Sequence, residues 1–410
     1  MRRIAIIVQR CGEEVVGGSE GYAFQMGKIL SDIFNIDILT TTAKDYETWS
    51  NYYKEGIEEI SNALKIFRFK VDFEREIYWH ELNRILFKNL FLDRFSNLDQ
   101  TDKNKFLMML EHSPIGLQEE WIKFQGPYSS ALFKYINENK NNYDLFILMT
   151  YLYPTTYFGI DKVENKEKIF IIPTFHDEPP AYLNIFGKYS TYKFLFLSMA
   201  EKRLASRIFK SDLLSEVIGL GMEDKFNKID DNNKDGRYIL YAGRLDSAKG
   251  VEVLCNYFER FSKKYPDIKL YTIGDGPLKH YKHKSIEYLG FLSEEEKLSL
   301  MRGALAFVHP SAYESLGIVL LEAFMMGTPV LVNSRSEVLN DHIVNSDGGY
   351  SYSSYEEFEK YLSELIENKP LRNKLGKNAR QYYLNNYFIS LYKKRLVSIF
   401  EDAFEEATKD

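Results

Sequence analysis

Two glutamates, Glu314 and Glu322, stand in the largely apolar segment YESLGIVLLEAFMMGTPVLV (313–332). Glu322 lies inside the apolar run, where burying a carboxylate is costly unless it is hydrogen-bonded. Carboxylates that accept hydrogen bonds from neighbouring hydroxyls suit a ribose or sugar ring. Glu314 stands just before a predicted helix, where an acid is also ordinary dipole complementation. The pair therefore raises a sugar-binding hypothesis that spacing alone does not establish.

The same segment predicts a helix over about 316–326. Ser315 is the expected N-cap and Gly327 the residue that follows the C-terminal end. This arrangement places the backbone amides of Ser315, Leu316 and Gly317 beside Glu314. We therefore expect carboxylate and amide groups to meet at one helix start.

Two further loops follow predicted strands and carry chemistry suited to phosphate. GRLDSAKG (243–250) has Arg244 and Lys249 five residues apart, a forked donor and a movable point charge that together suit a diphosphate. Gly17 and Gly18 in VVGGSE (15–20) precede a helix, where backbone N–H groups can approach an anion. The alternative for Arg244 and Lys249 is a pair of solvated surface cations, and the alternative for Gly17 and Gly18 is a plain turn.

A third loop, GDGP (274–277), begins at Gly274 and predicts a tight turn against which a flat ring could lie.

A cluster of titratable residues follows another predicted strand, in PTFHDEPP (173–180). His176, Asp177 and Glu178 suit polar contacts to a substrate hydroxyl. A metal site is the alternative, but no second histidine with ligand spacing is nearby, so we expect no metal.

Short apolar runs alternate with helical spacing along both halves of the chain, which predicts βαβ units and parallel sheets. We expect two Rossmann-like doubly wound α/β domains, with ligands beyond the carboxyl ends of the strands, in a cleft between the domains. The predicted boundaries are residues 1–215, 216–385 and a C-terminal helix over 386–410. A helical insertion is expected at about 79–140, a surface loop at 230–236, and one helical stretch at 379–407.

Composition narrows the class of protein. A chain of 410 residues favours two domains, and a net charge of −6 argues against general polyanion binding. Two cysteines far apart, Cys11 and Cys255, exclude a disulfide framework and fit a reducing cytoplasm. No stretch approaches the roughly 18 uninterrupted apolar residues of a membrane span. Lys202, Arg203 and Arg207 form a basic stripe with Lys210, open to solvation or to weak peripheral contact with a membrane.

Taken together, these loops resemble the retaining GT-B glycosyltransferases of glycosyltransferase family 4. The matching segments occur in the family's order: GGSE (17–20), HDEP (176–179), GRLDSAKG (243–250), GDGP (274–277), YLGF (288–291) and HPSAYESLGIVLLEAFMMGTPVL (309–331). The last matches the family's Glu-x7-Glu signature. The resemblance implies a fold with two Rossmann-like domains and a C-terminal helix that crosses back to the first domain.

The resemblance also implies roles for individual residues. Glu314 and the amides after it contact the donor sugar, Glu322 binds the ribose diol, and Arg244 and Lys249 hold the diphosphate. His176 contacts the transferred sugar. The remaining donor-site positions implied by the family are Gly17, Gly18, Gly274 and Phe291. Asp177 and Glu178 are placed with the acceptor, and no nucleophilic carboxylate is nominated.

An acceptor pocket is a separate hypothesis. Trp121, Gln125 and Tyr151 lie in aromatic patches similar to those of bacterial polysaccharide glycosyltransferases, and aromatic faces stack on sugar rings. Ordinary core packing explains the same residues equally well.

The predicted function is metal-independent, retaining transfer of a hexose or deoxyhexose. The donor is a nucleoside-diphosphate sugar of UDP or GDP type, and the acceptor is a glycan or lipid-linked glycan of the cell surface. No cofactor and no nucleic-acid partner are expected. Two alternatives are another GT-B enzyme, such as a sugar-nucleotide epimerase or a sucrose- or starch-type synthase, and a binding module without turnover. The base, the sugar, the acceptor and the oligomeric state stay open.

Overall fold

The computed structural model describes residues 1–15, 17–88, 90, 95, 98–230 and 236–407. These residues divide into two compact units. The first unit holds the described residues of 1–197, 201–218 and those from 393 onward, and the second holds 198–200 and 219–392. Most of the loop expected at 230–236 lies outside the described residues, as does Val16.

A largely parallel sheet organises the first unit. Its described strands are β1 (Arg3–Ile7), β2 (Asn35–Thr41), β3 (Gly56–Ser61), β4 (Leu64–Phe69), β5 (Leu145–Met149), β6 (Ile169–Ile172), β7 (Lys193–Phe196) and β8 (Ser215–Val217). They run in the order β3-β4-β2-β1-β5-β6-β7-β8, and only β3 with β4 is antiparallel. Every residue of β5 and β6 is buried, as expected for a parallel sheet covered on both faces.

Helices follow or interrupt these strands. The described ones are α1 (Gly18–Leu30), α2 (Ile77–Phe87), α3 (Gln100–Glu111), α4 (Ile115–Gln125), α5 (Ser130–Asn139), α6 (Pro154–Tyr157) and α7 (Met199–Phe209). Helices α2 to α5 fill the region where the sequence predicts a helical insertion. The β3–β4 hairpin was not predicted. Its outer strand β3 is almost wholly exposed, so it lacks the apolar pattern that marks a strand.

The second unit is built on a wholly parallel sheet. Its described strands are β9 (Tyr238–Ala242), β10 (Lys269–Ile273), β11 (Ile286–Gly290), β12 (Ala306–His309), β13 (Val330–Asn333) and β14 (Gly349–Tyr352), in the order β11-β10-β9-β12-β13-β14. The described helices are α8 (Val251–Phe261), α9 (Glu294–Gly303), α10 (Ile318–Met325), α11 (Glu337–Ser346), α12 (Tyr355–Glu367) and α13 (Lys369–Asn386). The alternation of strand and helix confirms the predicted α/β class.

The end of the chain differs from the single helical stretch predicted over 379–407. Helix α13 ends at Asn386, and a separate helix α14 (Ile389–Glu406) follows. The backbone of Tyr387 accepts a hydrogen bond from Met222, and Met222 in turn accepts one from Ile389. This pairing takes the peptide groups that a continuous helix needs. Within the first unit, Phe400 and Phe404 of α14 pack on Phe34.

Candidate active site

The candidate site of the second unit begins with three loops that follow neighbouring parallel strands. Strand β9 pairs with β10 on one side and β12 on the other, so the loops after these strands share one edge of the sheet. The amide of Gly243 donates to Ile273 at 2.9 Å, and that of Leu245 donates to Asp275 at 2.8 Å. Gly274 has φ 131°, and a Cβ there would lie 1.9 Å from the Gly243 carbonyl oxygen. The predicted tight turn at Gly274 is therefore a glycine-requiring contact between two loops.

Lys249 and Glu314, 65 positions apart in sequence, form an ion pair at this edge. Lys249 Nζ donates to Glu314 Oε1 at 2.7 Å, and the exposed fractions of the two side chains are 31% and 14%. Gly250, with φ 74°, lets the loop after β9 approach Pro310, whose carbonyl would lie 2.5 Å from a Cβ at that position. The two residues predicted to handle the diphosphate and the sugar thus contact each other.

His309 is a site residue that sequence reasoning missed. It ends β12, is buried, and places Nε2 3.6 Å from the same oxygen of Glu314. Its Nδ1 has no hydrogen-bond partner among the described residues. Burial lowers the pKa of His309; the Glu314 carboxylate opposes that shift and the Lys249 ammonium adds to it. A neutral imidazole with an unused ring nitrogen therefore stands beside Glu314. The available signal was its place at a strand end, before Pro310.

Arg244 lies on the same loop as Lys249 but is held differently. Its side chain is 53% exposed and pairs with Asp246. Asp246 also accepts a 2.8 Å hydrogen bond from the Lys249 amide, so it orders the turn that carries both cations. Asp246 was not predicted, although it lies inside the recognised loop.

The helix after Glu314 starts later than predicted. The prediction that Ser315 is the N-cap is wrong. Helix α10 begins at Ile318, and Gly317 is its N-cap with φ 76°. A Cβ at Gly317 would lie 2.8 Å from Leu339 Cδ2, so packing as well as backbone geometry requires glycine. Gly327, with φ 69°, follows the helix end as predicted.

His342 anchors the turn before α10. Its Nε2 donates to the Leu316 carbonyl oxygen at 2.7 Å. Burial lowers the pKa of His342 to about 4, so the ring is neutral at pH 7. This positioning contact joins α11 to the predicted sugar-binding turn, and no sequence motif signals it.

Glu322 is buried, as its apolar surroundings predict. Its compensation comes from Lys297 on α9, whose Nζ donates to Glu322 Oε1 at 2.7 Å. Oε2 lies 2.7 Å from the same ammonium, yet no donor in the described part of the chain is aligned with it. One carboxylate oxygen is thus left with hydrogen-bonding capacity. Lys297 was missed because it lies on another helix, 25 positions away.

Phe291 follows β11 and is 74% exposed. Gly290, just before it, has φ 75° and ends the strand. The exposed ring of Phe291 is available for contact with a flat ligand.

In the first unit, Gly17 and Gly18 stand at the start of α1, as expected. A Cβ at Gly17 would lie 2.2 Å from Glu20 Oε2, whereas Gly18 faces open space. Glu20 forms an ion pair with Arg10 at 2.7 Å, and the side chains are only 5% and 7% exposed. This buried pair was not predicted.

The three titratable residues after β6 differ in their surroundings. Glu178 accepts from the Tyr151 hydroxyl at 2.8 Å. Asp177 accepts from Lys103 at 2.8 Å and from the Tyr182 hydroxyl at 2.6 Å. His176 Nδ1 is buried, and no described residue hydrogen-bonds to it. The histidine is therefore the member of the cluster that keeps an unused polar atom.

The aromatic residues proposed for an acceptor pocket lie in the core. Trp121 and Tyr151 are each 1% exposed, and Trp121 Nε1 donates to Asn83. Burial and the Glu178 carboxylate raise the pKa of Tyr151 well above its ordinary value. The backbone carbonyl oxygen of Gln125 accepts hydrogen bonds from the side chains of Trp49 and Arg75. These contacts favour the packing alternative for Trp121 and Tyr151.

The described residues contain no group of three or more His, Cys, Asp or Glu side chains arranged to hold a metal ion. In the same part of the chain, no helix has the length and apolar character needed to cross a membrane.

Part of the chain is similar to known glycosyltransferases. Residues 222–382 match the family of glycosyl transferases group 1. The chain is 28% identical over 202 residues to an uncharacterised glycosyltransferase of Methanocaldococcus jannaschii, covering 46% of this chain and 51% of that one. It is 25% identical over 235 residues to the capsular polysaccharide biosynthesis glycosyltransferase CapM of Staphylococcus aureus, covering 51% and 61%. The chain thus spans about half the length of the first of these relatives and somewhat more of the second.

Solved structures show the same fold. Sucrose-phosphate synthase from Thermosynechococcus elongatus superposes with a TM-score of 0.70 at 16% identity, covering 99% of this chain and 100% of that one. Anabaena HepE in complex with UDP and glucose superposes with a TM-score of 0.65 at 12% identity, covering 98% and 100%. The chain therefore has the two-domain GT-B fold, and residues 222–382 of its second unit match the group 1 glycosyltransferase family.

Proposed function

We propose that this protein is a retaining glycosyltransferase of family 4 that transfers a hexose or deoxyhexose from a nucleoside-diphosphate sugar to a glycan or lipid-linked glycan. The observation that carries the proposal is the Lys249–Glu314 pair beside neutral His309. It lies at the carboxyl ends of parallel strands, inside the region that matches the group 1 family.

The donor is proposed to lie along the three loops of the second unit. Glu322 Oε2, left without an aligned donor, suits a ribose hydroxyl. The exposed ring of Phe291 and the turn at Gly274 suit the base. Of the two bases expected, we favour uracil because HepE, which shares the fold, is described in complex with UDP.

The proposed role of Arg244 and Lys249 follows from the charge that develops on the leaving group. When the glycosidic bond to the diphosphate breaks, negative charge grows on the leaving phosphate. Arg244 and Lys249 stabilise that charge electrostatically. Glu314 orients Lys249 and accepts from hydroxyls of the sugar, together with the amides of Ser315, Leu316 and Gly317. We assign no covalent nucleophile; the leaving diphosphate takes the acceptor proton.

His176 is kept as a proposed contact of the transferred sugar because its buried Nδ1 lacks a described partner. Gly17 and Gly18 are kept at the phosphate or acceptor, and Asp177, Glu178 and Gln125 at the acceptor. CapM is named for capsular polysaccharide biosynthesis, which supports a surface-glycan acceptor. Two free, buried cysteines support a cytoplasmic location.

The proposal is tested by incubating the protein with UDP- and GDP-sugars and measuring nucleoside-diphosphate release with and without glycan acceptors. NMR of the product then gives the anomeric configuration. We expect acceptor-dependent UDP release and a retained configuration. Tight UDP binding without acceptor-dependent release in any combination would favour the binding-module alternative, and an inverted product would refute the retaining assignment.

A further inference from the structure

A pocket of about 690 Å³ opens at the edge of the second unit's sheet opposite the candidate active site. It is lined by residues 304–305 and 328–329, which immediately precede β12 and β13, and by one face of α13. The active-site loops follow the carboxyl ends of the strands, so the two sites share a sheet but not an edge. The volume is in the range of small-molecule sites.

The described residues that line this pocket include five cations and no carboxylate: Arg302, Lys369, Arg372, Lys377 and Arg380. We call it the cationic pocket. A chain with net charge −6 has no general need for such a concentration of positive charge. Lys369 begins α13, where the positive end of the helix dipole disfavours a cation. Helix stabilisation therefore does not explain the cluster.

The three guanidinium groups are fixed by the protein. Arg302 Nη1 donates to the carbonyl oxygens of Phe226 and Ile229 at 2.8 and 2.5 Å. Arg372 Nη1 donates to the Leu365 carbonyl at 2.7 Å, and Arg380 Nη2 donates to Asp224 at 2.5 Å. The carbonyl partners orient the guanidinium groups of Arg302 and Arg372, whereas the guanidinium of Arg380 pairs with the Asp224 carboxylate. Such groups are preorganised to bind an anion.

Arg380 supplies the most direct indication of a ligand. Its Nη1 is buried and donates to no group of the described chain. A buried N–H without an acceptor is costly, because desolvation is not compensated. An oxyanion in the pocket would satisfy it.

We propose that the cationic pocket is a second binding site, for inorganic phosphate or the phosphate group of a small phosphorylated metabolite. Phosphate oxygens match the planar donor fork of arginine. This site is separate from the proposed donor site and does not depend on the proposed transferase activity.

Isothermal titration calorimetry of the full chain with inorganic phosphate, pyrophosphate and glucose 6-phosphate tests the proposal at constant ionic strength. The double variant Lys369→Ala/Lys377→Ala removes two cations and leaves the anchored arginines in place. We expect roughly a tenfold or greater loss of affinity. The matched control is Lys374→Ala, on the same helix and 68% exposed but outside the pocket, and we expect it to bind normally.

Titrations repeated with saturating UDP separate the two sites. Binding that persists with UDP and falls only in the double variant supports the proposal. Phosphate displaced by UDP would assign the signal to the donor site and overturn it. If Lys374→Ala lowered the affinity as much as the double variant, the binding would be a non-specific ionic effect. A heat of binding for phosphate no greater than that for chloride would have the same meaning. Either result would overturn the proposal. Co-sedimentation with anionic vesicles, without binding of the three soluble anions, would replace the small anion by a membrane surface.

Discussion

Removing the ammonium of Lys297 isolates the buried carboxylate of Glu322 and measures how strongly the fold depends on their contact. The side chain of Glu322 is 12% exposed, and that of Lys297 is 23% exposed. Breaking a fully buried pair costs about 3–5 kcal/mol because the remaining charge is uncompensated. Since Lys297 keeps some contact with water, we expect Lys297→Met to reduce the free energy of unfolding by about 2–3 kcal/mol.

Glu322→Gln in the Lys297→Met background completes a double-mutant cycle. A neutral amide does not need the ammonium, so the double variant should recover most of the lost stability. Urea denaturation followed by circular dichroism gives the free energies. Lys374→Met, at an exposed ion pair, is the control and should leave stability unchanged within error.

The same cycle tests the function assigned to Glu322. Glu322→Gln alone should weaken UDP binding, measured by calorimetry, while the protein stays folded. A loss below about 0.5 kcal/mol for Lys297→Met would mean that Glu322 is hydrated or otherwise compensated, and the reasoning from burial would be wrong.

Three further predictions concern catalysis, pH and backbone geometry. Glu314→Gln should keep the fold but lower kcat by about a hundredfold or more, whereas exposed Glu287→Gln should not; normal turnover in Glu314→Gln would refute its assignment. His342 has a pKa of about 4 in the folded chain against 6.5 ordinarily. Its contribution to stability is present above pH 6.5 and falls by roughly 2.5 kcal/mol at pH 4.5, so unfolding of His342→Leu should depend less on pH over that range; an equal slope would count against burial. Gly274→Ala should cost more than about 2 kcal/mol in urea denaturation because its Cβ meets a carbonyl, while Gly21→Ala, with open space, should be neutral or stabilising; similar effects would contradict the loop geometry.

The sequence predicted the features that depend on short-range pattern. Apolar runs and helical spacing identified two α/β regions, because the period of burial differs between strand and helix. Apolar neighbours predicted the burial of Glu322, and Gly327 was recognised as a helix end from its position before Thr328-Pro329. The loop motifs identified the glycosyltransferase region that the family comparison supports over 222–382.

Partners distant in sequence were decided only by the tertiary structure. Lys297 compensates Glu322, His309 stands beside Glu314, and His342 holds Leu316, each through a contact between separate elements. Residue order does not specify these distances, because they depend on how helices and loops meet at one sheet edge.

Tertiary packing also corrected one local prediction and decided one that the sequence left open. Ser315 has the residue type of an N-cap, but Gly317 takes that place because the chain reaches α10 through a left-handed turn packed against Leu339. Trp121 suited either a sugar or the core, and contacts across helices put it in the core. The sequence by itself determined which chemical groups are available, and the tertiary structure determined which of them meet, because close packing rather than propensity sets the distances between elements.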